Sequence, residues 1–244
     1  DIVPGKEPGL SDLIVKHPKA KWWNGLITLD DSGADSTGKY QLGGVLSIDS
    51  PLHLYDALTL NLNHNAGANT AARGSASSSL SWSVPFGYWS AQIAANYSKY
   101  QQTVAGFNGG IVYSGRSHGF DLGLAYIPFR DSDSKLSAQV KLTQKVSHRY
   151  VDDAEINVQY RDVKGYEANL SYKKYFERFT LDAGMGVKGS LPKQSKQVGL
   201  IVGAPDWDGA YRILNLNLGL NTEFTLAQKS VRYQGSWRMQ YAPK

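Results

Sequence analysis

The segment from Ser79 to Ser98 alternates apolar and polar side chains at every second position. Leu80, Trp82 and Val84 alternate with serines, and a similar alternation resumes after a tight turn at residues 85–87. Successive side chains of a β-strand point to opposite faces of the sheet. The segment therefore predicts an antiparallel hairpin with one apolar face and one uncharged polar face.

The polar face of this hairpin bears serine and amide side chains instead of the lysines and glutamates that a soluble β-sandwich exposes to water. Aromatic residues lie at the strand ends, namely Trp82, Tyr88, Trp89, Tyr97 and Tyr100. An apolar outer band between aromatic girdles, around a polar interior, is typical of a membrane barrel. The hairpin therefore favours a transmembrane β-barrel over a soluble sandwich.

The same alternation recurs along the chain and predicts about eleven strands, hence an all-β, antiparallel transmembrane β-barrel. Besides the two strands of the hairpin, the alternating segments are Trp23–Leu29, Tyr40–Ile48, Leu58–Leu62, Phe120–Tyr126, Leu136–Leu142, Ile156–Tyr172, Phe179–Val187, Leu214–Leu220 and Val231–Tyr241. An odd number of strands leaves both sheet edges unpaired, which lipid does not tolerate. The odd number therefore indicates either that the strand count is in error or that the chain is part of a longer one.

The connections between these segments alternate in length. Short turns are expected at 85–87, at 130–134, and near Glu177 and Ala227, whereas long loops are expected at 65–74, 101–117 and 190–208. Membrane barrels combine short periplasmic turns with longer outer loops. The alternation therefore predicts which end of each strand faces the periplasm.

Composition excludes several other classes of protein. The mean hydropathy of -0.37 and the lack of an apolar run near 18 residues argue against membrane-spanning helices. The absence of cysteine excludes disulfides and thiolate metal sites. The net charge of +5 is spread over turns and polar strand faces without an arginine stripe, so we do not expect nucleic-acid binding. No signal-peptide pattern opens the sequence, which predicts a start after a processed signal or within a longer protein.

Two short motifs resemble catalytic or cofactor sites. Ser117, flanked by Gly115 and Gly119 and next to His118, matches the G-x-S-x-G nucleophile elbow, but an alternating strand follows where the elbow needs a helix. The dinucleotide-like pattern at 184–189 is also not followed by a helix, because Leu191-Pro192 comes next. We therefore expect no catalytic residues, no cofactor and no metal ligands, and we interpret the second motif as small residues that relieve crowding inside a barrel.

Cationic and amide side chains occupy polar-face positions along the second half of the chain. They are Lys141, Lys145, Arg161, Lys173, Lys188, Asn215, Asn217, Arg232 and Arg238. Such residues can form structural networks inside a barrel, or they can line a pore. The sequence leaves both interpretations open, and we predict that these nine residues line a pore.

Several motifs, spread through the chain in the same order, give it a family resemblance. They are Val3–Gly9, Ser11–Val15, Asp30–Gly33, Ser36–Gly38, Val84–Trp89, Tyr113–Ser117, Arg130-Asp131 and Tyr150–Asp153. On these motifs the sequence resembles the outer-membrane transporters of two-partner secretion. The resemblance implies that residues 1–20 end the second of two periplasmic POTRA domains and that residues 21–244 are the first strands of a sixteen-stranded barrel. The family's V-R-G-[FY] hairpin loop is then expected beyond Lys244.

The resemblance also implies a function. Such a pore would secrete a large partner protein, either an adhesin, a haemolysin or a contact-dependent inhibition toxin, across the Gram-negative outer membrane without ATP. It implies contact with outer-membrane lipid and a monomeric pore. The alternatives are a passive porin and, less favoured, a barrel-embedded serine hydrolase that uses Ser117.

Overall fold

The computed structural model describes residues 2–4, 11–14, 21–67, 73–107, 109–191, 195–197, 210–226 and 228–243. Its elements are strands and one 3-10 turn, Asn157–Gln159. In this part of the chain, none of the helical structure is long and apolar enough to cross a membrane.

Eleven of the strands are eight residues or longer and the other four are two or three residues long. In chain order they are β1 (Ile2–Pro4), β2 (Ser11–Leu13), β3 (Trp23–Asp30), β4 (Gln41–Asp49), β5 (Ala57–Asn65), β6 (Gly74–Phe86), β7 (Trp89–Gly106), β8 (Gly109–Arg130), β9 (Ser134–Val151), β10 (Ala154–Glu155), β11 (Arg161–Tyr175), β12 (Phe179–Ser190), β13 (Lys196–Gln197), β14 (Arg212–Leu226) and β15 (Lys229–Tyr241).

The eleven long strands form one antiparallel sheet in which every strand pairs with its neighbours in the chain. The sheet runs from β3 to β15, and these two edge strands each pair on one side within the described residues. The short strands β10 and β13 pair with β9 and β11, while β1 and β2 pair only with each other. The predicted number of about eleven strands, with two open edges, is confirmed.

The predicted hairpin is formed by β6 and β7. Phe86 pairs with Trp89 across a two-residue loop, Gly87-Tyr88, and Gly87 has a φ of +63°. A residue without Cβ adopts positive φ at no steric cost, and glycine is the favoured first residue of one common two-residue hairpin loop. The loop therefore fixes the register in which Leu80 and Trp82 share a face with Ala95 and Ile93.

The apolar face of the sheet is not covered by a second layer. Val146 is the one apolar side chain of the described residues that is buried, whereas Leu122, Leu142 and Leu216 are 44%, 50% and 48% exposed. In a β-sandwich such residues would interdigitate with a facing sheet. The prediction against a soluble sandwich is therefore supported by the absence of a dry interior in the described part of the chain.

The predicted loop at 101–117 is wrong, because β7 continues to Gly106 and β8 begins at Gly109. Cross-strand pairing runs without a break from Trp89 and Tyr126 to Gly106 and Gly109. Backbone pairing does not require an apolar face, so strands can extend past the apolar band although polar and apolar side chains no longer alternate there. Alternation of polarity consequently misses this extension.

One further boundary differs from the prediction. The segment from Ile156 to Tyr160 is a 3-10 turn instead of the start of a strand, and the strand begins at Arg161. Ser11–Leu13, within the motif Ser11–Val15, form a short strand, and Val15 lies outside the described residues. The loops predicted at 65–74 and 190–208 and the turn at Ala227 fall partly or wholly outside them as well.

Candidate pore-lining face

The register of the sheet places all nine predicted pore residues on one face. Directly opposed residues of an antiparallel pair have their side chains on the same face. Lys141 opposes Glu167, which opposes Lys188 on the next strand, and Asn217 opposes both Gly184 and Arg238. Following the same pairs and the two-residue period places Lys145, Arg161, Lys173, Asn215 and Arg232 on this face too. We call it the polar face.

Two of the predicted lysines meet through a carboxylate that the prediction omitted. Lys141 Nζ lies 3.0 Å from Glu167 Oε2, and Lys188 Nζ lies 3.1 Å from Glu167 Oε1. The three side chains come from β9, β11 and β12 and remain 20–47% exposed. Partly exposed ion pairs contribute at most about 1 kcal/mol each. Lys141, Glu167 and Lys188 therefore contribute little to the stability of the sheet. Their main effect is one net positive charge at this place on the polar face.

A cavity of about 730 Å³ lies against the middle of the polar face. Its walls come from β7, β8, β9, β11 and β12 and include Asn96, Ser117, Asp121, Lys145, Arg161 and Glu167. Five neighbouring strands can surround one cavity only if the sheet curves around it. The polar face is therefore concave here, and hydroxyl, amide, carboxylate and cationic groups point into the same space.

The other predicted residues are not all brought together. Lys173 Nζ lies 3.1 Å from Asp182 Oδ1, and Arg232 Nη2 lies 3.6 Å from Glu223 Oε2 at a highly exposed position. Arg238 occupies the polar face by register. Glu167, Asp182 and Glu223 could have been found from the sequence, since each lies at a polar-face position, but their pairing partners depend on the register.

Two glycines of β12 leave space for the asparagine side chains of the polar face. A Cβ on Gly184 would meet the side chain of Asn217, and one on Gly186 would meet those of Asn169 and Asn215. Both glycines lie within β12, so the dinucleotide-like pattern at 184–189 belongs to a strand. The interpretation of these small residues as relieving crowding is consistent with this packing.

Ser117 does not occupy a nucleophile elbow. It lies within β8, paired with Ser98 on one side and Ser147 on the other, and not at the end of the loop predicted at 101–117. Its Oγ lies 2.9 Å from Ser98 Oγ. His118, the next residue in the strand, points to the opposite face. The strained turn into a helix that exposes a catalytic serine is replaced here by continuous sheet.

Aromatic residues on the opposite, apolar face mark the end of the sheet where the turns are short. Each of four consecutive short-turn hairpins carries a pair of them: Phe86 and Trp89, Tyr126 and Phe129, Phe176 and Phe179, Phe224 and Tyr233. The rings of Trp89 and Tyr126 stack at 4.3 Å, as do those of Phe176 and Phe179. A β-bulge between Tyr126 and Phe129 returns Phe129 to the apolar face. The predicted girdle is present at this end.

Tyr100 was predicted to belong to the aromatic girdle, and this is wrong. It lies on the polar face opposite Gly115, where its hydroxyl accepts a hydrogen bond from Arg149 Nη1. The ring of Tyr113 lies 6.1 Å away on the same face. Tyr100 lies at an even position of β7, as do the polar-face residues Asn96 and Ser98, and the two-residue period therefore turns it inward.

Carboxylates in two of the short turns satisfy backbone donors. Asp131 accepts hydrogen bonds from the hydroxyl and N–H of Ser134 and from the N–H of Asp133, which lowers its pKa to about 2. Asp56 is 1% exposed. Burial raises its pKa, but hydrogen bonds from the Trp82 indole and from the N–H groups of Leu54 and Leu52 outweigh burial and leave the pKa below the ordinary value. Both turns are therefore held by ionised side chains.

Comparison with known proteins agrees with this geometry. Residues 9–244 match the family model described as haemolysin secretion/activation protein ShlB/FhaC/HecB. The outer membrane transporter CdiB-2 of Burkholderia pseudomallei (strain 1026b) is 27% identical over 240 residues, which cover 98% of this chain and 41% of that protein. The hemolysin transporter protein ShlB of Serratia marcescens is 26% identical over 192 residues, 79% of this chain and 34% of that protein.

Solved structures show the same fold. CdiB from Escherichia coli superposes with a TM-score of 0.83 at 21% identity, covering 100% of this chain and 45% of that one. CdiB from Acinetobacter baumannii gives 0.74 at 28% identity, with 100% and 44% covered. The chain thus spans less than half the length of these relatives. The predicted fold class, an all-β antiparallel transmembrane barrel of which part is present, is confirmed.

Proposed function

Because this chain belongs to the haemolysin secretion/activation protein family ShlB/FhaC/HecB, we propose that it forms part of an outer-membrane pore that secretes a large partner protein. The pore passes the unfolded partner from the periplasm to the surface of a Gram-negative cell without ATP. The partner is an adhesin, a haemolysin or a contact-dependent inhibition toxin. Folding of the partner outside the cell supplies direction, and the pore itself performs no catalysis.

The observation that carries this proposal is the division of the same strands into two faces. Leu216 and Leu218 on β14 are exposed on the apolar face, while Asn215 and Asn217 belong to the concave polar face. In a barrel, the first pair contacts lipid and the second contacts the lumen. A lumen of amides, hydroxyls and dispersed charges offers a sliding chain many weak contacts without trapping it, as conduction also requires of ion pores.

We assign the nine predicted residues to the wall of this pore. The cavity beside Lys145 and Arg161 supports the assignment, as does the ion-paired group of Lys141, Glu167 and Lys188. Five of the nine remain, and all five continue the same face by register. Lys173 lies on β11, and Asn215, Asn217, Arg232 and Arg238 lie on β14 and β15, towards the edge of the sheet.

The whole pore needs more strands than the eleven described. The unpaired edges of β3 and β15 are not viable in hydrocarbon, because their backbone groups would lack partners. We propose that further strands pair with these edges and complete a monomeric barrel of sixteen strands. Residues 1–20 end a periplasmic POTRA domain in this proposal, and the short turns face the periplasm.

Single cysteines test the proposal directly, because the chain contains none. Asn217→Cys and its neighbour Leu218→Cys are placed in the whole protein, with a secreted partner stalled in transit. We expect Asn217→Cys to form a disulfide with a cysteine on the partner and to react with a charged thiol reagent. Leu218→Cys is the matched control and should do neither. Equal cross-linking from both positions would contradict the assignment of the faces.

Dependence on a particular secreted partner distinguishes a secretion pore from a passive porin. A porin shows steady conductance and takes up small solutes whether or not a particular secreted protein is present. For a secretion pore, deletion of the partner gene should remove the secreted protein and leave small-solute uptake low. High uptake without a partner would favour the porin.

A further inference from the structure

Two cations face outward at the end of the sheet opposite the aromatic girdle, away from the polar face. Lys99 on β7 and Arg116 on β8 are directly opposed, exposed, and on the same face as Phe120 and Leu122. His148 on β9 opposes Arg116 and extends the row to a third strand. This row belongs to neither the proposed pore wall nor the aromatic girdle.

The position of the row along the strands matches the far side of the apolar band. Lys99 lies ten residues along β7 from Trp89, and Arg116 lies ten residues along β8 from Tyr126. Ten residues of strand extend about 33 Å, or about 25 Å across a bilayer at a tilt near 40°. The apolar band of an outer-membrane barrel is also about 25 Å tall. The stacked Trp89 and Tyr126 rings at one interface thus place Lys99 and Arg116 at the other.

Neither cation is paired with a carboxylate in the described part of the chain, and one of the two is held in place. Within the described residues, neither Lys99 nor Arg116 takes part in a salt bridge, whereas His148 Nδ1 lies 2.6 Å from Glu155 Oε1. Arg116 Nε donates a 2.9 Å hydrogen bond to the hydroxyl of Tyr150, and its guanidinium lies 5.0 Å from the centre of that ring. Tyr150 therefore orients the guanidinium while leaving its positive charge uncompensated.

We propose that Lys99 and Arg116 bind the phosphate group of a lipid in the outer leaflet, with Tyr150 as the residue that positions Arg116. Guanidinium and ammonium groups recognise phosphate by charge-assisted hydrogen bonds. Cations at the level of the head groups are attracted to anionic lipid. The inference rests on the proposed placement in the outer membrane but not on secretion, so the two can fail separately.

Binding of diphosphoryl lipid A to the whole protein, purified in detergent, tests this site by native mass spectrometry. We expect Lys99→Gln/Arg116→Gln to weaken binding by about tenfold or more, since two charge-assisted contacts are lost. The double variant Arg178→Gln/Lys229→Gln removes the same charge at the short-turn end and should bind as the unaltered protein does. Lys99→Arg/Arg116→Lys keeps both charges and should retain most of the binding.

Four results would overturn the proposal. They are unchanged binding by Lys99→Gln/Arg116→Gln, an equal loss in Arg178→Gln/Lys229→Gln, equal binding of lipid A from which the phosphates have been removed, and displacement of lipid A by inorganic phosphate at the same concentration. Secretion of the partner is measured on the same variants. In Lys99→Gln/Arg116→Gln, loss of lipid binding with secretion intact supports the site. Loss of secretion with lipid binding intact overturns the site and implies that the two cations act in secretion instead.

Discussion

The indole Nε1 of Trp82 donates a 2.8 Å hydrogen bond to the buried carboxylate of Asp56. The bond joins the apolar face of β6 to the turn between β4 and β5, where the same carboxylate accepts the N–H groups of Leu52 and Leu54 at 3.2 Å. The ring of Trp82 thus lies at the membrane interface, while its N–H group stabilises the adjacent turn.

Trp82→Phe should destabilise the barrel, because phenylalanine has an aromatic ring but no N–H group that could donate the hydrogen bond to Asp56. We expect a loss of about 1 to 2 kcal/mol in the free energy of unfolding, measured by urea titration in lipid vesicles. Trp89→Phe is the control, since the indole of Trp89 stacks on Tyr126 and forms no hydrogen bond with any residue that the structure describes. An equal effect of both substitutions would show that ring size, instead of the hydrogen bond, matters at Trp82.

Acid should weaken the turn between β8 and β9. Asp131 has a pKa of about 2 in the folded protein and an ordinary value of 3.8. A lowered pKa means that its contribution to stability is present above pH 3.8 and is lost as the pH falls towards 2. Asp131→Asn should therefore remove part of the pH dependence of unfolding between pH 4 and pH 2, as measured by urea titration. A variant whose pH dependence equals that of the unaltered protein would contradict this.

Leu216→Arg should cost about 2 to 4 kcal/mol and impair assembly, because it places a charge on the lipid face near the middle of the membrane. Asn215→Arg adds the same charge to the polar face and should be milder, although the new side chain must fit beside Gly186. Assembly is measured by the fraction of protein that resists heat denaturation on a gel. Equal impairment by the two substitutions would contradict the assignment of faces.

Glu167→Gln should make the pore more selective for anions, since Lys141 and Lys188 then lose their shared carboxylate. The change is read from the reversal potential of the whole protein in a planar bilayer under a salt gradient. The stability of the barrel should change by less than about 1 kcal/mol, because both ion pairs are partly exposed. Asp162→Asn removes the same charge from the opposite face, where Asp162 opposes Val146, and should leave the selectivity unchanged.

Ser117→Ala should leave secretion unchanged, because the hydroxyl of Ser117 contacts Ser98 within the sheet and the adjacent His118 points to the opposite face. Esterase activity of the whole protein towards a chromogenic ester is the second measurement. Activity that Ser117→Ala abolishes would favour the serine hydrolase.

Predictions from the alternation of polar and apolar residues succeeded where the two faces of a strand meet different environments. Within the span from Trp89 to Ser98, lipid and lumen demand opposite side chains, and the predicted strand is confirmed. Between Gln101 and Ser117 the strands continue without that demand, and the prediction of a loop failed. The turn at Asn157–Gln159 was missed because Ile156, Val158 and Tyr160 alternate although their backbone is not extended.

Sequence alone determined which residues share a face, because the two-residue period of a strand is local and needs no knowledge of its neighbours. It could not determine which residues lie opposite one another, since the contact of Lys141 with Glu167 and the pairing of Lys99 with Arg116 depend on the register between strands. That register is set by turns, by the bulge between Tyr126 and Phe129, and by pairing over the whole sheet. The concave polar face and the row of outward cations could therefore be identified only from the tertiary structure.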